Sequence, residues 1–385
     1  MTTHELFPVA RRRHRIFGGL SERQERLFDW IAAAVVALFL VAWAGAVGDA
    51  VRQQHEIAHQ QARAGVRAPL PPPPTPTRII TSSLLQPAAP AYISDAMMTF
   101  LSPLHGISGK LMFATRTPGA NIVGNAPGGA KSVLVGGSGA QVASNFIAPG
   151  QPGMYKLAVQ IEQATRLVDN FNLFTLVPFS VKQSGRIGLY FLGNWPFERG
   201  GSPNAPAYAN PAGFIEVTPR DQDTPVSQHF RLRDFLTKDQ PNVWPKYLLL
   251  NPRLVDKLEL TIDALQAMGH PVRHITVMSG FRTPNYNVHG GNTLGRANLS
   301  RHMYGDAADI FVDNDGNGVM DDLNGDGRVD IRDADVIQQA VERVEREHPS
   351  LVGGVGVYSA CCGHGPFTHM DVRGYRARWR GFGNG

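Results

Sequence analysis

From Trp30 to Val47 the chain reads WIAAAVVALFLVAWAGAV, with neither a charge nor a proline. Such a run suits the ~17–25 apolar residues that cross a bilayer as a helix. Arg52 to Arg67 is polar, and APLPPPPTPT (Ala68 to Thr77) then predicts an extended polyproline spacer. Between about Tyr92 and Arg220 the pattern becomes short and alternating, as in YKLAVQIE (Tyr155 to Glu162), FNLFTLVPFS (Phe171 to Ser180) and RIGLYFLGNW (Arg186 to Trp195). With turn residues between these runs, it predicts strands of a small all-β sandwich or barrel. The period changes at NPRLVDKLELTIDALQAMG, where Asn251 is a cap, Pro252 suits the first helical position, Leu254, Leu258, Ile262 and Leu265 share a face, and Gly269 ends the helix. RHITVMS (Arg273 to Ser279) predicts a buried strand, DADVIQQAVERVERE (Asp333 to Glu347) an amphipathic helix, and GVGVY and FTHMDV closing strands. This is the vocabulary of a compact α+β domain.

The expected organisation is therefore a basic tail over 1–29, a transmembrane anchor over 30–48, a juxtamembrane and proline-rich linker over 49–91, a β-rich domain over 92–228 and an α+β domain over 229–385. Arg11, Arg12, Arg13, Arg15, Arg23 and Arg26 precede the apolar run, and the positive-inside rule keeps them cytoplasmic. A cleaved signal peptide is the alternative, with small residues at Ala42, Ala44, Gly48 and Ala50. Either way the bulk of the chain is expected outside the cytoplasm. The net charge of +5 leans on that arginine cluster, and no basic face interleaved with aromatics follows it, so nucleic acid is not an expected partner. The two cysteines, Cys361 and Cys362, are adjacent and provide no disulfide framework; they are expected as small, half-buried thiols.

Candidate chemistry starts at SRHMYGDAADI. His302 and Asp309 are spaced so that a loop can turn into a strand, with Gly305 relieving the bend and Ala307 and Ala308 leaving room for a metal. His369, in the apolar run PFTHMDV, is the natural third ligand. Two imidazoles and one carboxylate leave a fourth position of tetrahedral Zn²⁺ open to water, as in hydrolytic sites.

SGFRTPNYN (Ser279 to Asn287), SRHMYGDAADI (Ser300 to Ile310), GGVGVY and FTHMDVRG (Phe367 to Gly374) together resemble the ordered motifs of the zinc D-Ala-D-Ala carboxypeptidase and Hedgehog-like peptidase family, over about Phe230 to Trp379. The resemblance implies a Hedgehog/D-Ala-D-Ala peptidase-like fold, His302, Asp309 and His369 as zinc ligands, Arg282 near the substrate's carboxylate or scissile carbonyl, and Ser300 and Tyr304 shaping the cleft. Family members commonly carry a Glu three residues before the last ligand or a His two before it, whereas Pro366 and Phe367 stand there in this chain. Asp371, two residues after His369 and so on the same strand face, is the expected general base or orienter of the attacking water, with His364 as the alternative.

The remainder of the acidic stretch, an insert at 313–333, suits a harder cation. DLNGDGRVDIRD places Asp322, Asn324, Asp326, Asp330 and Asp333 at positions one, three, five, nine and twelve of a calcium loop, with Gly327 at the sixth, and resembles the loops of dockerin modules. DNDGNGVMD before it repeats the beginning of that pattern with Asp313, Asp315, Asn317 and Asp321. Calcium, as a structural ion, is the expected occupant, and a solvated acidic loop the alternative. The expected function is zinc-dependent hydrolysis of peptidoglycan stem peptides, by carboxypeptidase or endopeptidase action. Its expected place is the outer face of a bacterial cytoplasmic membrane, which one N-terminal helix crosses. The alternative is a non-catalytic zinc- and calcium-containing module that binds cell wall or protein.

Overall fold

Alternation of apolar and polar positions produces strands over most of the N-terminal half. After a short helix α1 (Asp95–Met98) and a 3-10 segment (Thr99–His105) come β1 (Phe113–Arg116), β2 (Ala130–Gly136), β3 (Gln141–Ser144), β4 (Gly153–Ile161) and β5 (Ala164–Thr175). They form an open sheet in the order β1-β5-β4-β2-β3, parallel only between β1 and β5. The expected sandwich or barrel is not formed by these strands: β1 and β3 remain edges, and Leu101 and Leu104 of the 3-10 segment join Leu134, Leu157 and Phe171 in the apolar cluster of this sheet. A helical segment supplies cover that a second sheet would otherwise give. The computed structural model describes residues 93–381, apart from Ser138, Gly201, Ser202, Asn204, Asn292, Leu294, Gly295 and Cys362, together with Arg23, Trp30 and Ile31. The expected anchor and proline spacer lie outside the described residues, except for Trp30 and Ile31, which are helical. Among the described residues no helix is long and apolar enough to cross a membrane.

The chain continues through β6 (Val177–Pro178), the hairpin of β7 (Arg186–Ile187) and β8 (Tyr190–Phe191), β9 (Gly213–Val217), β10 (Lys246–Leu248) and α2 (Pro252–Ala267). It then forms β11 (Ile275–Ser279), α3 (Pro284–His289), β12 (Ala307–Val312), α4 (Ile331–Glu347), β13 (Gly354–Tyr358), β14 (Phe367–Asp371) and β15 (Ala377–Gly381). A small sheet, β10-β9-β6, takes strands from both sides of position 228. One apolar cluster likewise joins Phe113, Trp195 and Phe214 to Leu254, Ile310 and Met370. The two stretches drawn from the sequence as separate domains thus share a core within one compact unit, Pro87–Gly385.

Helix α2 explains how. Asn251 accepts the Arg253 N–H as its cap, and the leucine face is buried in the shared core. Its polar side is covered too: Asp256 accepts the N–H groups of Ile107 and Ser108 at 2.7 and 2.9 Å, and Glu259 accepts the His229 N–H at 2.9 Å. Buried carboxylates are tolerable when backbone donors satisfy them, and the two donors to Asp256 come from the β-rich stretch.

The C-terminal sheet has the order β11-β12-β14-β13-β15. Its back face, with Ile310, Val312, Val355, Val357 and Met370, joins Val336, Ile337, Ala340 and Val344 of α4 in the core. Strand β11 is an edge with one neighbour, so beyond Ile275 its side chains are half-buried, and the fully buried strand expected there is corrected accordingly.

Candidate metal centre and cleft

Strand register lays the functional side chains in a row. Ser279 pairs with Asp309, Asp309 with His369, His369 with Gly356, and Gly356 with Trp379. Residues in register share a face of the sheet, so the row faces away from α4. Glycine at 356 is required by space: a Cβ there would overlap the Trp379 indole, whose ring lies 5.2 Å from the His369 ring centroid.

His302 enters from above, on the 3-10 turn Arg301–Tyr304. Gly305 ends that turn at φ +68, where a side chain would be strained and would also strike the Leu249 carbonyl. The turn is held by the β-rich stretch: the Trp195 indole N–H donates to the Met303 carbonyl at 2.9 Å, Arg301 donates to Ala207 O at 2.7 Å, and the Tyr304 hydroxyl donates to Tyr208 O at 3.3 Å.

The structure brings His302, Asp309 and His369 together, all buried. His302 Nε2 is 3.2 Å from Asp309 Oδ1 and 3.1 Å from His369 Nδ1, and His369 Nδ1 is 2.8 Å from Asp309 Oδ1. The outer nitrogens fix the tautomers. His302 Nδ1 lies 2.7 Å from the Gly280 carbonyl, which can only accept, so Nδ1 carries the proton; both His369 nitrogens face carboxylates, Nδ1 at Asp309 and Nε2 at Asp371 Oδ2 at 3.3 Å, so with a metal on Nδ1 the proton would sit on Nε2 and be donated to Asp371. His302 Nε2, His369 Nδ1 and Asp309 Oδ1 therefore converge on one point, and a cation placed there would take the lone pairs of both nitrogens and one carboxylate oxygen. Burial, with the Arg282 charge behind it, pushes the His302 imidazole down to about 4, so it is a neutral donor at pH 7. At His369 burial acts the same way, but hydrogen bonds to Asp309 and Asp371 outweigh it and raise its pKa. Burial alone would raise Asp309, yet His302 and Arg282 hold it well below the usual carboxylate range. Zn–N and Zn–O bonds of about 2.0–2.1 Å make a tetrahedral edge of roughly 3.3 Å. The observed triangle is that edge slightly contracted, so the donor set fits a zinc ion.

Arg282 approaches the other oxygen of Asp309: its Nη2 pairs with Asp309 Oδ2 and its Nε donates to Ser279 Oγ at 2.8 Å. Ser300 lines the cleft, whose volume is about 440 Å³, together with the three candidate ligands. Tyr304 does not line it; its ring packs edge-on against Tyr208, which does.

The two expected bases fall elsewhere. Asp371 shares a strand face with His369, but the imidazole presents Nδ1 to the ligand cluster and Nε2 to Asp371, so the carboxylate lies behind the ring. It is fully buried, accepts from Gly354 N at 2.7 Å and from Arg373, and is held far below the ordinary carboxylate range: burial opposes this, while His369 and Arg373 overcome it. That is the position of an orienter and not of a base. His364 lines a separate groove with Val277, Met278 and Phe311, its Nδ1 2.7 Å from Gly365 O. Cys361, in that same groove, is disulfide-bonded, which corrects the expectation of a thiol at that position.

The acidic insert divides in two. Asp313, Asp315 and Asp321 offer oxygens that all lie within 4.8 Å of one another. Asn317 stands beside them, its N–H donating to Asp313 Oδ1 at 3.0 Å. The twelve-residue pattern that follows is engaged differently. Asp322 accepts from Gly325 and Gly327 N–H, Asn324 from Asp326 N–H, Arg332 pairs with Asp326 and Asp330, and buried Asp333 accepts from Leu323 and Asp330 N–H as the capping box of α4. Among the described residues no three carboxylates of this second stretch meet as Asp313, Asp315 and Asp321 do.

Sequence reasoning passed over Tyr208, Arg296, Arg301, Tyr358, Arg373 and Trp379, all lining the cleft. Arg373 had a signal, two residues beyond Asp371 on an extended segment. Tyr208 and Trp379 had none, because they arrive from distant strands and loops.

No curated protein and no solved structure matches the chain. Residues 242–324, the stretch that supplies Arg282, His302 and Asp309, match the model of the family Peptidase M15, a family of zinc-dependent metallopeptidases, and this supports a zinc-peptidase reading of the site.

Proposed function

We propose that the protein is a zinc peptidase that hydrolyses peptidoglycan stem peptides outside the cytoplasmic membrane, by removal of a terminal D-Ala or, as the alternative, by endopeptidase cleavage. The observation that carries this is the convergence of two imidazole lone pairs and one carboxylate oxygen at the floor of a cleft rich in arginine. Zinc bound there would polarise a scissile carbonyl and make water nucleophilic at neutral pH. The chain's own groups set up that chemistry. Gly280 O and Asp371 fix the imidazole tautomers, and Arg282 fixes the Asp309 carboxylate. Tyr358 accepts the Trp379 indole N–H at 2.7 Å, which leaves its own proton to donate to a substrate oxygen; burial raises its pKa, so it remains a phenol.

One observation favours a second reading, a zinc-containing module that binds wall peptides or a protein without cleaving them. Among the described residues lining the cleft the only carboxylate is Asp309 and the only imidazoles are His302 and His369, all three committed to the centre. Incubating the chain with purified stem peptides, with and without chelator, separates the readings by mass spectrometry. Released D-Ala supports the carboxypeptidase, larger fragments the endopeptidase, and intact peptide in the presence of bound zinc the binding module.

We further propose that Asp313, Asp315 and Asp321 hold a structural calcium ion where the strand carrying Asp309 leaves the sheet. Hard oxygen ligands suit that ion. Because only the folded loop assembles them, calcium at 100 times its Kd should stabilise by about 2.7 kcal/mol, read as a rise in melting temperature that Asp313→Ala removes. An unchanged melting temperature in wild-type protein would reject the site.

A further inference from the structure

Four guanidinium groups line the cleft: Arg282, Arg296, Arg301 and Arg373. Three are matched by buried carboxylates, Arg282 with Asp309, Arg301 with Asp306 and Arg373 with Asp371. Arg296 has no such match among the described residues: its guanidinium Nη1 donates to the Tyr286 carbonyl at 2.8 Å, and its plane lies 5.2 Å from the Tyr286 ring centroid. Neither contact neutralises its charge. Its Nε is buried and has no hydrogen-bond partner among the described residues.

An arginine does not escape burial by losing its proton. Desolvation lowers the Arg296 pKa and Arg282 adds to the effect, and Arg296 lines the same cleft as Arg282 and Asp309. The result is a cation beside the metal centre that is short of one anion and one acceptor. Arg282, which the sequence motifs associate with the substrate, already spends Nη2 on Asp309 and Nε on Ser279.

We propose that Arg296 receives the terminal carboxylate of a peptide bound in the cleft, and so selects substrates with a free C-terminus. The planar fork of a guanidinium suits a carboxylate with two parallel N–H···O bonds, and the buried Nε would gain the acceptor it lacks. Tyr286, on helix α3, holds the arginine in place from behind through its carbonyl and ring. This assignment rests on the peptidase reading for the identity of the peptide, but not for its test.

That test compares an N-acetylated tripeptide ending in D-Ala-D-Ala with the same peptide as its C-terminal amide, on zinc-loaded full-length protein, by calorimetric binding and by kinetics. Wild type is expected to favour the acid over the amide by on the order of 10–100-fold, in Kd and in KM, a range set by the worth of one charge-assisted hydrogen bond. Arg296→Gln is expected to bring that ratio towards about 1, with Arg296→Lys falling between. Equal binding of acid and amide by wild type overturns the proposal whatever the variants do, as does an unchanged ratio in folded, zinc-bound Arg296→Gln. Binding with the expected preference but no cleavage of either peptide would instead overturn the peptidase reading and leave the carboxylate anchor standing.

Discussion

Replacing His302 with alanine is expected to take peptide hydrolysis down to that of chelator-treated protein, a loss on the order of 10⁴-fold or more, as when a member of a catalytic unit is removed. The imidazole is 3% exposed and supplies one of three converging donors, with its second nitrogen anchored on Gly280 O. Alanine leaves Asp309 Oδ1 and His369 Nδ1 as a two-point site, which holds zinc poorly. Metal content by elemental analysis should therefore fall together with turnover. The contrast is Asp371→Asn, which touches no ligand position. It leaves Arg373 without its buried carboxylate and weakens the grip on His369, and losses of an outer partner of this kind typically cost about 10–100-fold in metal affinity. Full zinc occupancy and wild-type turnover in His302→Ala would end the metal assignment.

Lys257→Ala is expected to destabilise the fold by about 3–5 kcal/mol, the usual cost of breaking a buried ion pair by removing one partner. Lys257 is 0% exposed, within helix α2. Its ammonium donates to Glu345 at 2.7 Å and to the Asp371 carbonyl at 2.8 Å, tying α2 and α4 to the strand end behind His369. Burial pulls its pKa down and Glu345 only partly restores it, so the ammonium depends on those partners to remain charged. Its removal takes the ammonium from Glu345, which keeps Arg378 and the Gly353 N–H, and leaves the Asp371 carbonyl without that donor. Denaturant unfolding of Lys257→Ala, Glu345→Gln and the double variant provides the check. A double-variant loss smaller than the sum of the single losses is expected for directly coupled groups, and strict additivity would show that the pair does not act as one.

Much of the C-terminal half was readable because its signals are local. The Asn251-Pro252 start of α2, the leucine spacing behind it, and the short apolar runs of β13 and β14 each depend on neighbours within a few positions. The expected sandwich failed for the opposite reason. Alternation specifies that a strand has one apolar face and leaves open whether a sheet or a helical turn covers it, and here Leu101 and Leu104 do so. The acidic spacing from Asp322 to Asp333 matches a calcium loop by position alone, and Arg332 within that same stretch pairs two of its carboxylates.

Residue types and short spacings along the chain were enough to nominate His302, Asp309 and His369 and to place them on a turn and two strands. Whether Asp371 faced the cleft or the back of an imidazole was settled by packing, since strand periodicity chooses a face and cannot choose a ring nitrogen. The arginines of the cleft, and the one among them lacking a carboxylate, emerged only when distant segments were brought together. Charge balance inside a fold is a property of neighbours in space, and Asp306, Asp309 and Asp371 became such neighbours only through the sheet and the turn above it.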